Sequence, residues 1–363
     1  MPLSRMLKTL ILRFSLSPLK TMAEIGRRLL PAGAPPQVSH LSGALGEAPL
    51  ILQIETTNLC NARCAFCAYP GMKRGKGVMD LSLFEKIVSD YLEMGGGAVS
   101  LTPIMGDPLL DPHLLRRIRL LRGRPEINQI ALTTNAIALG NYSDEEVGFL
   151  LESLAVVQVS IGGLDAETYR QMYGVDRFPQ VREAMDRLLD LNEKVANPAD
   201  IAFGFRTNDW KFELRHKRQL DAFRRRGVHV THLWTYGNYG GLVESDRERG
   251  VEVNRGPARK SRKCALPCVH LAVCWDGAIT ACGCADAEGS LSLGRADRDS
   301  LKEVWRGSRR AGILEAFEKG APPKVCAACS AYQQDLILAG LGLENASPDR
   351  PLPIEFYRKF WGA

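Results

Sequence analysis

Six apolar, strand-like segments alternate with helical patterns between residues 50 and 234, and this alternation constrains the fold more than any other feature. The strand-like segments are 50–56, 98–104, 129–134, 156–161, 201–206 and 228–234. Apolar residues at helical spacing predict helices over 81–94, 112–122, 143–154, 166–172, 178–191 and 213–226. This order predicts a parallel α/β fold. Because a closed barrel needs eight such units, we expect a partial (β/α)6 barrel or an open sheet.

The cysteines fall into two groups. Three of the ten lie within one short stretch, at Cys60, Cys64 and Cys67, and the other seven lie between Cys264 and Cys329. So few cysteines in 363 residues exclude a disulfide scaffold. Their grouping favours metal ligands over scattered core thiols. Because thiolate ligands must stay reduced, we expect a cytoplasmic protein.

The first group has the spacing C-x3-C-x2-C and directly follows the first strand, a position at which α/β folds bind ligands. Three thiolates suit a [4Fe–4S] cluster that leaves one iron without a protein ligand. A structural zinc ion would need a fourth ligand, and the nearest histidine along the chain is His113. A redox disulfide would leave one of the three cysteines unexplained. We therefore favour the cluster.

This motif, with the aromatic Phe66 before its last cysteine, resembles that of the radical S-adenosylmethionine (radical SAM) enzymes. Further stretches are similar to family landmarks at the strand ends and follow in the same order: Met105-Gly106-Asp107-Pro108, Thr133-Thr134-Asn135 and Ser160-Ile161-Gly162-Gly163. The resemblance covers roughly residues 50–235. Gly106 and Gly162 also fit ordinary turns.

The resemblance implies a [4Fe–4S] cluster that binds SAM and reductively cleaves it, so that a 5′-deoxyadenosyl radical takes hydrogen from a substrate. It implies that Asp107 contacts the SAM amino group. Arg206, at the end of the fifth strand, is expected to hold a carboxylate of SAM or substrate, with a surface ion pair as the alternative. The residues expected to bind the cofactor are Phe66, Gly106, Asp107, Thr134, Asn135, Ser160 and Arg206. An electron donor such as flavodoxin or ferredoxin is implied as a partner.

The second group could by itself hold either zinc or an iron–sulfur cluster. Its layout resembles the SPASM/twitch extension of many radical SAM enzymes: a cysteine, a hairpin with a glycine turn at Gly277, another cysteine and a distant C-x2-C. This implies an auxiliary [4Fe–4S] cluster on Cys264, Cys282, Cys326 and Cys329. The single-cluster twitch form is favoured over the alternative, a full SPASM domain, which holds two clusters and needs further cysteines. Cys268, Cys274 and Cys284 remain. They are buried apolar side chains, an alternative ligand (Cys268 in place of Cys264), or a hydrogen donor to a substrate radical.

We therefore expect four parts. Residues 1–48 form a basic, amphipathic extension and linker, 49–240 a radical SAM core, 241–345 a small α+β auxiliary-cluster domain and 346–363 a tail. Residues 1–30 either make a weak membrane-surface contact or pack as an extension of the main domain. No uncharged apolar run approaches the ~20 residues of a membrane helix. The net charge of +6 comes without the interleaved aromatics of a nucleic-acid site, so no nucleic acid is expected.

For the substrate, the enzymes that the chain resembles offer two classes, small polar molecules and ribosomal peptides. Residues 1–48 are too short and too apolar-basic for a peptide-recognition domain, so we expect a sugar, an aminocyclitol or a similar molecule to be oxidised or rearranged. A peptide-modifying maturase is the alternative. The chain end Phe360-Trp361-Gly362-Ala363 differs from the Gly-Arg-Gly tail of the molybdenum-cofactor cyclase, which we therefore disfavour. A non-catalytic zinc or iron–sulfur protein is the alternative from another class.

Overall fold

The computed structural model describes residues 48–257, 260, 262–335, 352, 356 and 357. All of these belong to one unit that begins at Gly43. The predicted extension over residues 1–48 lies outside the described residues except at its end, and most of the predicted tail over 346–363 does too. Two described tail residues pack against the sheet: the Leu352 backbone and the Tyr357 hydroxyl both hydrogen-bond the Gln129 side chain.

Six parallel strands form most of the sheet, as the sequence predicted. Each is hydrogen-bonded to the next along the chain, from the first to the sixth. The first four are buried along nearly their whole length, which is typical of a parallel sheet covered on both faces. The strands are β1 (Ile51–Ile54), β2 (Ala98–Ser100), β3 (Gln129–Thr134), β4 (Val156–Ile161), β5 (Asp200–Arg206) and β6 (His229–Leu233). The predicted parallel, unclosed α/β arrangement is confirmed.

Helices connect these strands. They are α1 (Leu81–Glu93), α2 (Leu114–Arg122), α3 (Asp144–Ser153), α4 (Ala166–Tyr173), α5 (Phe178–Asn192), α6 (Phe212–Arg215) and α7 (Lys217–Arg225). The predicted cap of α3 is present. The Ser143 side chain accepts a hydrogen bond from the Glu146 amide, and the Glu146 side chain accepts one from the Ser143 amide. The single helix predicted over 213–226 is instead two helices that meet at His216, whose φ and ψ are not helical.

The cysteine-rich segment adds three strands to the same sheet. The strands β7 (His270–Val273), β8 (Ala278–Thr280) and β9 (Ser292–Arg295) extend it beyond β1, so that the order is β6-β5-β4-β3-β2-β1-β7-β8-β9. The hairpin predicted at Gly277 joins β7 to β8. Unforeseen was the parallel pairing of β7 with β1, which joins the predicted auxiliary domain to the core through one continuous sheet.

Gln53 and His270 connect β1 to β7 inside the sheet. The His270 ring lies 2.7 Å from the Gln53 carbonyl oxygen, and the Gln53 amide donates to the carbonyls of Thr102 and Gly283 at 2.8 and 3.2 Å. A Cβ atom at position 283 would lie 1.9 Å from that Gln53 oxygen, so only glycine fits there. The remaining helices are α8 (Leu266–Val269), α9 (Leu301–Arg306), α10 (Ser308–Glu318) and α11 (Lys324–Ala328). Among the described helices, none is both long and apolar enough to span a bilayer.

Candidate functional site

Cys60, Cys64 and Cys67 lie on the loop that follows β1, at the carboxyl end of the parallel sheet. Backbone hydrogen bonds from Arg63 to Tyr173 and from Ala65 to Met172, both 2.9 Å, fasten this loop to the end of α4. The Cys67 amide donates to the Cys64 carbonyl at 3.2 Å. Burial raises the pKa of the Cys64 thiol, and the nearby thiols of Cys67 and Cys60 add to the rise. The three predicted ligands therefore lie together.

Gly106 allows the chain after β2 to approach the cysteine loop. Its φ of +121° is one that residues with side chains rarely adopt, and a Cβ atom there would lie 2.8 Å from the backbone of Asn58. The next residue donates its amide to the carbonyl of Leu59 at 2.7 Å. The geometry thus shows a close approach of two loops at Gly106, and the expected role of this residue in cofactor binding stays a prediction.

Asp107 is a buried carboxylate that ties the ends of β2 and β3 together. It accepts hydrogen bonds from the Thr134 hydroxyl at 2.9 Å, the Asn135 amide at 2.7 Å and the Leu109 amide at 3.0 Å. Burial raises its pKa to about 6, and these hydrogen bonds oppose the rise. Both carboxylate oxygens are thus engaged by protein donors. The expected contact with the SAM amino group would require one of these bonds to be exchanged.

Asn135, at the end of β3, reaches back to the cysteine loop. Its side-chain amide donates to the side chain of Asn61 at 2.8 Å and lies 3.9 Å from the sulfur of Cys60. Thr134 meanwhile holds Asp107. Thr134 therefore orients the Asp107 carboxylate, whereas the Asn135 side chain contacts the cysteine loop.

Arg206, Ser160 and Phe66 form a second group beside the thiols. The Arg206 guanidinium donates to the Ser160 hydroxyl at 2.6 Å and lies over the Phe66 ring at 5.2 Å. Ser160 also shares a 2.6 Å hydrogen bond with the Tyr173 hydroxyl. Phe66 packs between Tyr173 and Tyr236. The sequence placed Arg206 at this end of the sheet, and the structure brings it within electrostatic reach of Cys64.

Glu55 and Arg74 are site residues that the sequence analysis missed. Glu55 is fully buried one residue after β1 and pairs through both oxygens with the Arg74 guanidinium, at 2.5 and 2.6 Å. The same carboxylate accepts from the amides of Met105 and Trp275, and Arg74 donates to the carbonyl of Ala287. This ion pair therefore connects the cysteine loop to the segment that contains the second group. The sequence signal was an acid within the apolar, strand-like segment 50–56.

The second group of cysteines lines one cavity. Its other walls are mostly apolar and include Leu266, Pro267, Phe317 and Val325. Five cysteines face this cavity: Cys264, Cys282, Cys284, Cys326 and Cys329. These include the four predicted auxiliary ligands. Cys268 is not among the lining residues, since its thiol donates to the carbonyl of Cys264 at 3.3 Å. Cys274 is buried near Glu55 and Arg74. Of the three remaining cysteines, only Cys284 lies at the cavity.

Burial makes all these thiols weaker acids than an exposed cysteine. It raises the pKa of Cys60, Cys268 and Cys282 to about 12, and it raises the pKa of the other cysteines as well. A buried thiolate needs a positive partner, which a metal centre supplies. Within the described residues, no three His, Cys, Asp or Glu side chains are arranged around a single-ion position.

Lys260 is a buried cation beside the second cavity. Its ammonium donates to the carbonyls of Cys326 at 2.5 Å, Ala327 at 2.9 Å and Cys329. These carbonyls lie at the end of α11, where a positive charge is stabilising. Lys260 therefore holds the turn that carries the C-x2-C pair, and the sequence analysis did not single it out.

Comparison with known families matches both halves of the chain. The family model described as the radical SAM superfamily matches residues 54–214, and that of an iron–sulfur cluster-binding domain, SPASM, matches residues 264–330. Similar curated proteins include the GTP 3′,8-cyclases of Cronobacter sakazakii and Chlorobaculum tepidum. The first is 31% identical over 162 residues, 43% of this chain and 48% of the relative. The second is 30% identical over 150 residues, 41% and 44% of the two chains. The chain thus spans about half the length of these relatives.

Solved structures share the fold at low sequence identity. SuiB of Streptococcus suis, bound to its precursor peptide SuiA, is 15% identical, with a TM-score of 0.58 over 85% of this chain and 75% of SuiB. BtrN in complex with AdoMet and 2-DOIA is 16% identical, with a TM-score of 0.53 over 79% and 95%. The enzyme anSMEcpe with bound AdoMet is 18% identical, with a TM-score of 0.52 over 86% and 96%.

Proposed function

We propose that this chain, in which residues 54–214 match the radical SAM superfamily model and residues 264–330 the SPASM model, is an enzyme that cleaves SAM reductively and removes a hydrogen atom from a substrate. One observation carries this proposal: three thiols from a single loop lie together at the carboxyl end of β1, among polar side chains from the ends of β2 to β5. Three neighbouring thiols suit a cluster that keeps one iron open.

Cys60, Cys64 and Cys67 are the proposed ligands of the first cluster. The donor set fits, because three buried thiols require a positive centre to ionise. A [4Fe–4S] cluster bound there supplies one electron and an open iron for the cleavage of SAM to methionine and a 5′-deoxyadenosyl radical. The protein supplies orientation and excludes water.

The surrounding residues orient SAM in this proposal. Arg206 holds a carboxylate, with its guanidinium fixed by Ser160 and by the ring of Phe66. Asp107 keeps Thr134 and Asn135 in place and takes the SAM amino group by exchanging one of its hydrogen bonds. Gly106 acts by letting the two loops touch.

Cys264, Cys282, Cys326 and Cys329 are the proposed ligands of the auxiliary cluster. They are favoured over a set with Cys268 because they share one cavity, whereas the Cys268 thiol is bonded to a backbone carbonyl. Among the three spare thiols, Cys284 is the proposed hydrogen donor to a substrate radical, and its place in the same cavity supports this choice.

A small polar molecule is the proposed substrate, which is oxidised or rearranged with the auxiliary cluster as electron acceptor. The structural match covers 95% of BtrN, whose structure holds 2-DOIA, but 75% of SuiB, whose structure holds a peptide. The proposed electron donor is a flavodoxin or a ferredoxin, and the reduced thiols favour the cytoplasm. Membrane contact through residues 1–30 falls outside the described residues.

Anaerobic reconstitution followed by iron and sulfide analysis tests the enzyme proposal. We expect about eight irons per chain and release of 5′-deoxyadenosine on addition of dithionite and SAM. A Cys60→Ala/Cys64→Ala/Cys67→Ala variant should retain about four irons per chain and release no 5′-deoxyadenosine. Zinc without sulfide would contradict the proposal and favour a non-catalytic protein, and so would a triple variant that still cleaves SAM.

A peptide substrate is the second candidate, because SuiB shares the fold with a TM-score of 0.58. Deuterium transfer separates the two classes. Deuterated aminocyclitols and sugars should place deuterium in 5′-deoxyadenosine, whereas a precursor peptide should not. Transfer from a peptide alone would overturn the small-molecule proposal, and transfer from GTP alone would favour a cyclase.

A further inference from the structure

A short strap, residues 73–77, follows the cysteine loop along the chain and is bound by the turn before β9. The Glu288 carboxylate, on that turn, accepts hydrogen bonds from the amides of Lys73 and Arg74 at 2.9 and 3.1 Å. The turn is itself well fixed, because the buried Asp286 carboxylate accepts four hydrogen bonds within it, at 2.7–2.8 Å. The cysteine-rich segment thus holds the first part of the strap.

Trp275, in the turn between β7 and β8, holds the rest of the strap. Its indole nitrogen donates to the Gly75 carbonyl at 3.1 Å. A Cβ atom at Gly77 would collide with the Trp275 ring, so only glycine fits beneath it. Two separate turns of the cysteine-rich segment therefore bind this one stretch of the core.

Arg74 connects the strap to the loop that follows β2. Its guanidinium pairs with both oxygens of the buried Glu55, at 2.5 and 2.6 Å, and its Nε donates to the Ala287 carbonyl at 2.6 Å. The Glu55 oxygen that lies 2.6 Å from Arg74 also accepts from the Met105 amide at 3.1 Å. A continuous chain of hydrogen bonds thus runs from the turn before β9 to Met105, two residues before Asp107.

Asn58 provides a second connection between the strap and the same loop. Its side-chain amide donates to the Gly75 carbonyl at 2.8 Å, and its side-chain oxygen accepts from the Gly77 amide at 2.8 Å. The backbone of Asn58 lies 2.8 Å from the position of a Cβ atom at Gly106. Both connections therefore end at residues 105–107, which include the carboxylate proposed to take the SAM amino group.

We propose that Arg74 is a positioning residue that links the cysteine-rich segment to the loop 105–107, so that this segment sets the affinity of the first site for SAM. This inference rests on the proposed function, since it requires Asp107 to contact SAM. The partners are buried and paired, so each hydrogen bond restricts the next. A loop that is already fixed in its binding position loses less conformational freedom when the ligand arrives, and the ligand then binds more tightly.

Anaerobic equilibrium dialysis of the reconstituted holoenzyme against labelled SAM tests this role. Glu288→Ala removes the acceptor of the two strap amides. Arg74→Lys keeps a positive charge beside Glu55 but loses the forked pairing that arginine provides. In each variant we expect the dissociation constant of SAM, and its KM in the release of 5′-deoxyadenosine, to rise about threefold to tenfold. The kcat at saturating SAM should change less than KM, and about eight irons per chain should remain.

Arg226→Lys and Glu193→Ala are the matched controls. Arg226 also joins two elements through carboxylates, since it donates to Glu193 at 2.7 Å and to Asp190 at 2.8 Å. This group lies at the ends of α5 and α7, and both controls should leave the dissociation constant of SAM unchanged.

Iron content and 5′-deoxyadenosine release separate failure of this inference from failure of the proposed function. If the unaltered protein lacks clusters or does not cleave SAM, the proposed function is wrong and the inference falls with it. If it cleaves SAM, and Glu288→Ala and Arg74→Lys bind SAM as tightly as it does, Arg74 has a structural role alone and only the inference is wrong. An equal rise in the controls also overturns it. Should Arg74→Lys lose its clusters, Glu288→Ala decides in the same way.

Discussion

Single buried charges hold the ligand-bearing segments in place, and Lys260 shows this most directly. The residue is 6% exposed, and its ammonium has three backbone carbonyls of the C-x2-C turn as acceptors. Burial lowers its pKa, whereas the nearby cysteines oppose that change. A hydrogen bond to a charged group contributes about 1.5–3 kcal/mol, so loss of this side chain should loosen the turn.

We predict that Lys260→Met will lose the auxiliary cluster and retain about four irons per chain, as measured by iron and sulfide analysis after anaerobic reconstitution. The matched control is Lys319→Met, because Lys319 is exposed at the end of α10 and, among the described residues, its ion pair is with Glu315. Retention of about eight irons in Lys260→Met would contradict this prediction.

The ion pair of Arg117 and Asp111 is the second residue-scale prediction. Both side chains are fully buried, the guanidinium lies 2.7 Å from the carboxylate, and it also donates to the carbonyl of Met79. Arg117→Met leaves Asp111 buried without its partner, so we expect the free energy of unfolding to fall by about 3–5 kcal/mol in denaturant titrations. Arg122→Met, on the exposed end of the same helix, should change it by under about 0.5 kcal/mol. Equal effects would show that burial is unimportant here.

At the scale of elements, local patterns along the chain predicted most helices and strands, and packing altered the rest. The cap at Ser143 and the hairpin at Gly277 follow from neighbouring residues alone, and both are present. The break at His216 was not predicted, because the apolar spacing continues through it. The Phe212 ring packs against those of His216 and His232, at 4.7 and 4.9 Å, and its contact with His232 on β6 is one that periodicity does not reveal.

Gly106 and Gly95 provide an element-scale prediction with a close control. Both have positive φ, +121° and +102°, but only Gly106 has backbone atoms within 4 Å of a Cβ position. Gly106→Ala should push the cysteine loop away and lose the first cluster, leaving about four irons per chain. Gly95→Ala should keep about eight irons, because its cost is backbone strain alone. Equal iron contents in the two variants would contradict this explanation.

At the scale of the whole molecule, the pairing of β7 with β1 joins the six parallel strands and the three strands of the cysteine-rich segment into one sheet. His270 lies at this junction and is almost completely buried against Gln53. Burial lowers its pKa to about 3. As the pH falls below about 6.5, this histidine becomes protonated in the unfolded chain but stays neutral in the folded one. The free energy of unfolding therefore decreases as the pH falls from about 6.5 to about 3.

We predict that this histidine destabilises the protein by about 2 kcal/mol between pH 7 and pH 5. Anaerobic denaturant titrations at the two pH values, on the unaltered protein and on His270→Gln, measure it. Any effect of acid on the clusters is common to both proteins, so the difference between them isolates the histidine. The same pH dependence in both proteins would contradict the prediction.

The sequence was enough for the features that depend on near neighbours: the six strand–helix units, the motif that resembles the radical SAM enzymes, and the spacing of three cysteines that share one loop. These follow because helical and strand periodicity, and ligands a few residues apart, are properties of short stretches of chain. The tertiary structure alone decided which distant residues meet. It placed Arg74 on Glu55, Lys260 at the C-x2-C turn, and His270 on Gln53. Such contacts arise from the packing of whole elements, which no local pattern encodes.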